Sequence, residues 1–167
     1  FDRLIATYKR QGWWREREPE LLAELGQTAS LADLTHAQVI LADRLLVAPE
    51  SAEDLAKMGL TQYRLGEVVG AEASYARALK ALESSSLGSD RPDLASRILL
   101  GLGNARVQLG QREGALDIFR RARRAHPREP RFLEQELRLL MGLGKCGDIG
   151  PAIDQAVEEI VSEVMRG

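Results

Sequence analysis

Residues 93–127, DLASRILLGLGNARVQLGQREGALDIFRRARRAHP, have the pattern of two antiparallel amphipathic helices joined by a tight turn. Leu99, Leu102, Ala105 and Leu109 recur at spacings of three and four, the period of an amphipathic helix. Gly110 follows, where a helix end favours a residue tolerant of positive φ. Ala115, Ile118, Phe119 and Ala122 carry a second helix, and Pro127 closes the unit. Small residues at Gly103 and Ala115 let two helices approach closely where they cross. A hairpin of two such helices has two apolar faces and covers only one by itself, so it needs neighbours of its own kind.

Leu102, Gly103, Gly110, Ala115, Phe119, Ala122 and Pro127 together resemble the tetratricopeptide repeat (TPR) motif. Val107 stands in place of its usual aromatic. The resemblance implies an all-α fold, a right-handed superhelical array of antiparallel helix pairs. Residues 51–83 form a second match through Leu55, Met58, Gly59, Tyr63, Gly66, Ala71, Tyr75 and Ala78, with Ser51 and Asp54 placed to cap its first helix. Gly59 and Gly103 are 44 residues apart, ten more than the 34-residue period, and the segment SSSLGSDRP at 84–92 accounts for the excess, expected as a mobile loop or helix extension. Residues 19–50 read as a degenerate first repeat. Leu21, Leu22 and Leu25 mark its first helix, Thr28–Asp33 the turn, and Ala37, Leu41 and Leu45 the second helix. Leu25 and Arg44 replace the small residues of the motif there. Residues 130–165 supply a fourth repeat. Leu133, Leu137, Met141 and Leu143 mark its first helix; Ile149, Ile153 and Ala156 mark the second, which runs on through Ile160 and Val164 with Glu158, Glu159 and Glu163 outward, as a solvated capping helix. Residues 1–18 read as an N-terminal helix, the end of a preceding repeat, with Trp13 and Trp14 packing on the first repeat.

The 167 residues are 44% hydrophobic and 29% charged with six Pro, a composition suited to a soluble helical protein with a sizeable core. No apolar run reaches the roughly 20 residues that span a membrane. The single Cys146 rules out an internal disulfide and agrees with a reducing, cytoplasmic setting. The chain begins at Phe1, which reads as a segment of a larger protein, and the excess of Arg over Lys, 19 to 4, points to a bacterial source. The formal charge of −2 is segregated: residues 97–131 carry +6 between −6 over 19–96 and −4 over 132–167.

Catalysis is not expected. His36 and His126 fall at or near inter-helix turns of different repeats, with no metal-ligand spacing, and Cys146 has only Lys145 beside it. GLGNARVQLG has the glycines of a phosphate loop but lies inside a helix with no strand before it. No cofactor or metal is implied. The basic run at Arg120, Arg121, Arg123, Arg124 and Arg128 reads as a solvated outer face, salt-bridged to the acidic blocks, rather than a nucleic-acid site.

In the TPR family the first helices line an inner groove that holds a peptide or partner helix. The resemblance assigns that role to Lys57, Leu60, Tyr63 and Arg64, to Arg97, Leu100, Asn104 and Gln108, and to Arg131, Glu134, Gln135 and Arg138. Such a surface combines cations for carboxylates, amides for an extended backbone and apolar anchors. Leu100 occupies the Lys position of the carboxylate clamp used by chaperone-binding members, so that clamp is not reproduced. The expected function is a non-catalytic scaffold for an acidic or amphipathic protein segment. Self-association through repeat ends, and a peptide- or ligand-sensing segment of a signalling or transcription regulator, are the alternatives.

Overall fold

The structure is a computed structural model that describes residues 31–85 and 91–166. Of these, 86% are helical, and no strand occurs among them. The chain divides into two compact units, Phe1–Ala81 and Leu82–Gly167, with the division falling inside the third described helix.

The first unit contains α1 (Leu31–Val47), α2 (Ala52–Leu65) and most of α3 (Val68–Ser84). Ser51 caps α2: its hydroxyl accepts from the Asp54 N–H at 3.3 Å, satisfying a donor the helix cannot. Gly66 ends α2 at φ 82°, a left-handed conformation that costs a side-chain-bearing residue but not glycine. Glu67 N–H then closes back to Gln62 O at 2.9 Å. Ala37, Ile40 and Leu41 of α1 and Leu55, Ala56 and Met58 of α2 are buried where these helices pack. Gly59 lies under the Tyr75 ring of α3, where an added Cβ would sit 3.0 Å from ring carbons. Ser74 Oγ donates to Gln62 Oε1 at 2.6 Å beside that crossing. Arg44 makes a two-point contact with the buried Asp54, Nε to Oδ2 at 3.1 Å and Nη2 to Oδ1 at 3.0 Å. A large residue is therefore accepted at Arg44 because it reaches the carboxylate beside the α2 cap. Residues 31–33 open α1 rather than forming a turn, which also places His36 inside that helix. The expected helix over 1–18 and the leucines at 21, 22 and 25 lie outside the described residues.

The second unit holds α4 (Pro92–Gln108), α5 (Arg112–Ala125), α6 (Pro130–Gly142), a 3-10 turn at Cys146–Asp148 and α7 (Ile149–Arg166). Pro92 and Pro130 stand at helix starts, where a missing N–H costs no hydrogen bond. Gly110 and Gly144 follow α4 and α6 with φ 76° and 71°. Helices adjacent in sequence pack in pairs, α4 on α5, α5 on α6 and α6 on α7, and α7 also reaches α5. Leu94, Ile98, Leu99, Leu102 and Ala105 meet Ala115, Leu116, Ile118, Phe119 and Ala122 in the core. The closest approach is at Gly103, where an added Cβ would stand 2.4 Å from Phe119 Cζ.

The apolar faces of the last two helices differ from expectation. In α6 the buried positions are Phe132, Glu136, Leu139 and Leu140, whereas Leu133 and Leu137 are half-buried and Met141 is exposed. These buried positions also follow helical spacing, but one of them is a charge, so a search for apolar residues selects the neighbouring face. In α7 the buried residues are Ala152 and Ala156, and Ile153 is exposed. Glu159 and Glu163 turn toward Arg123 of α5 and Arg128 just beyond it instead of outward, and the apolar residues of α7 beside them are exposed.

Candidate partner-binding faces and the buried ion cluster

The core side of α4 fixes what its other side shows. With Leu94, Ile98, Leu102 and Ala105 inward, Arg97, Leu100, Asn104 and Gln108 fall on one stripe flanking that face, at spacings of three and four. Arg97 and Gln108 are exposed; Leu100 and Asn104 are half-buried. Arg97 carries no ion pair among the described residues, and its guanidinium is exposed.

On α6, Arg131, Glu134, Gln135 and Arg138 likewise share the face away from Phe132, Glu136 and Leu139. Both of its arginines are engaged locally. Arg131 donates to both oxygens of Glu129, at 2.8 and 2.9 Å, and Arg138 to Glu134 at 2.7 Å. The hydrogen bond from Arg131 holds the Glu129 carboxyl below the usual carboxylate range, and the same contact pushes Arg131 upward. In the first unit, Lys57, Leu60, Tyr63 and Arg64 share a stripe of α2, with Leu60 and Arg64 exposed and Tyr63 half-buried. Lys57 pairs with Glu53 one turn earlier at 3.0 Å.

The basic run corrects the expectation of a wholly solvated outer face. Arg123 is 2% exposed and Glu136 1% exposed. Arg123 Nε donates to Glu136 Oε2 at 2.8 Å while Arg120 Nε donates to Oε1 at 3.0 Å, so each carboxylate oxygen has its own cation. The Arg123 guanidinium also pairs with Glu159 and donates to Gln155 Oε1 at 3.3 Å. One arginine of α5 thus joins α6 and α7. Its fork of donors accepts three partners at once, which lysine could not arrange in the same plane. Arg121 pairs with Glu83 at the end of α3, and Arg128 with Glu163 at 3.4 Å. The pairing with both acidic blocks is as the sequence suggests; the burial of Arg123 is not. A hint was present: Arg123 follows Phe119 by four and Ala122 by one, at the edge of the apolar face.

His126, just after α5, is half-buried with its ring 6.1 Å from that of Phe132. Burial lowers its pKa from the usual histidine value, against the upward pull of Glu129 and Glu163. Cys146 is exposed on the 3-10 turn. Among the described residues no group of three or more His, Cys, Asp or Glu side chains is placed to hold a metal ion. None of their helices is long and apolar enough to cross a membrane. No family model matches the chain, and no curated protein matches it.

Proposed function

We propose that this chain is a non-catalytic protein-interaction scaffold of the TPR kind, a right-handed superhelical array whose first helices hold a segment of a partner protein. The observation that carries this reading is the α4 stripe: a cation without an ion pair among the described residues, an apolar residue, an amide and a second amide on one accessible face. Leu100 supplies the apolar anchor, Asn104 and Gln108 bond an extended backbone, and Arg97 takes a carboxylate with two parallel N–H donors. The partner segment is accordingly acidic or amphipathic. Arg131 and Arg138 on α6 add positive character, but each exchanges a local glutamate for the partner, which reduces their net gain.

The test is selection of peptides from a random display library on the 167-residue chain, followed by titration of selected peptides against wild type and Arg97→Ala. Charge-assisted hydrogen bonds contribute about 1.5–3 kcal/mol, so the variant should bind about 10–100-fold more weakly. Selected peptides enriched in Asp and Glu that lose affinity in this way support the reading. Equal affinity for wild type and variant overturns it.

A further inference from the structure

The junction that seats the last helix is polar, whereas the α4–α5 junction is apolar. α6, 13 residues long, buries Phe132, Leu139 and Leu140 beside Glu136; α7, 18 residues long and described throughout, buries only Ala152 and Ala156. Two methyl groups remove little apolar surface from water next to a phenylalanine and two leucines. The other inward-turned side chains of α7 are Gln155, Glu159 and Glu163. Gln155 and Glu159 both accept from the buried Arg123, and the Glu159 side chain is 19% exposed there. Arg128 meets Glu163 at 3.4 Å, long for a charge-assisted bond, and both side chains are open to solvent. The hold on α7 therefore centres on one guanidinium. This inward face is set by α5, α6 and α7 themselves, whatever lies against the opposite side of the helix.

We infer that α7 is a latched segment. It swings off α5 and α6 as one piece while α4–α6 stay folded, and the Arg123–Glu159 pair is the latch. Three features favour a separate step. The ion cluster divides cleanly, since Arg120 and Arg123 keep Glu136 when Glu159 departs. The chain just before α7 is tied to the ends of α6 and α5, with Lys145 N–H on Leu140 O at 2.9 Å and Lys145 Nζ on Glu113 at 2.8 Å. Gly147 and Gly150 follow that tie with no neighbouring atom within 4 Å of where a side chain would begin, which leaves room for a hinge. Segments that bury few apolar side chains open at free energies below that of global unfolding. Off the body, an 18-residue helix is marginal by itself, so its amides lose their protection.

Hydrogen–deuterium exchange of the 167-residue chain, read amide by amide, tests this with Glu159→Gln and with Glu158→Gln as the control. In wild type the amides from Ile153 to Val164, on both sides of Glu159, should share one degree of protection, lower than that of the core amides of α4. Glu159→Gln removes a charge-assisted bond from the latch, so α7 should exchange about ten- to a hundredfold faster while α4 is unchanged. Glu158→Gln removes the same charge from an exposed neighbour and should leave α7 within about twofold of wild type. Equal protection of α7 and α4 overturns the inference, because the unit then opens only as a whole. Rapid exchange confined to residues beyond Glu159 is fraying of the helix end and overturns it as well. So does a Glu159→Gln chain in which α7 is unmoved, or in which α4 and α7 quicken alike.

Discussion

Replacing Arg123 by Met keeps an unbranched stem of similar length in the α5 core and removes the charge. Glu136, 1% exposed, then keeps Arg120 on Oε1 but loses the cation on Oε2, and Glu159 loses its partner too. Breaking a buried pair from one side costs about 3–5 kcal/mol because a charge is left without compensation. The surviving Arg120 contact, on a side chain 34% exposed, places the expected loss near the lower end, about 3 kcal/mol. For a chain of this size that is a fall in Tm of about 6–12 °C, at about 2–4 °C per kcal/mol. The pair itself need not be net stabilising, since burying two charges sacrifices most of their attraction to desolvation. The double variant Arg123→Met with Glu136→Leu should therefore recover most of the loss, to within about 1 kcal/mol of wild type. Urea unfolding followed by far-ultraviolet circular dichroism measures all the required variants. A loss below about 0.5 kcal/mol for Arg123→Met would refute the burial of this arginine, since that is the size of a surface substitution. A double variant as unstable as the two single losses added together would refute the coupling.

Two further variant sets follow from the packing and the titration. Gly103→Ala should destabilise by about 1–3 kcal/mol, because the new methyl meets Phe119 at 2.4 Å and overpacking outweighs the gain in helix propensity. Gly59→Ala, with 3.0 Å to Tyr75, should cost less, and Phe119→Leu should make Gly103→Ala tolerable. Chemical unfolding of each chain checks the order, and equal stability of Gly103→Ala and wild type would contradict it. His126 has a folded-state pKa lowered by burial, so the unfolded chain takes up its proton first. Its effect on stability is absent well above the unfolded pKa, and stability is lost as pH falls through that value toward the folded one. His126→Gln should flatten the histidine part of a stability profile between about pH 7 and 5. A wild-type profile that rises on acidification across this range would have the wrong sign.

Much of the local architecture is legible in residue type and spacing. The glycines at 66, 110 and 144 each take the positive φ that their positions at helix ends suggest. Gly103 and Ala115 prove to be close-packed small residues, and Ser51 caps the helix it precedes. What was not legible is the role of charge inside the unit. Arg123 and Glu136 are 13 residues apart and Arg123 and Glu159 36 apart, so neither sequence neighbourhood contains the partner that makes burial affordable. The wrong face for α6 follows directly, because its inward face includes Glu136 and apolar counting passes over it. The polarity of α7 differs from its sequence pattern for the same reason: its inward acids pair with arginines on α5 and just beyond it, and its valines are exposed. Of the groove residues suggested by the TPR resemblance, all are at least partly accessible, but the local pairs of Lys57, Arg131 and Arg138 depend on rotamers that spacing alone does not reveal.

The proposed function places a partner segment on the face of α4. The most direct measurement is backbone amide shift mapping on isotope-labelled protein during titration with an acidic peptide obtained by display. The largest perturbations should run along Arg97, Leu100, Asn104 and Gln108 and vanish in Arg97→Ala. Perturbations confined to α5 around Arg121 and Arg124, with the α4 stripe unmoved, would contradict it.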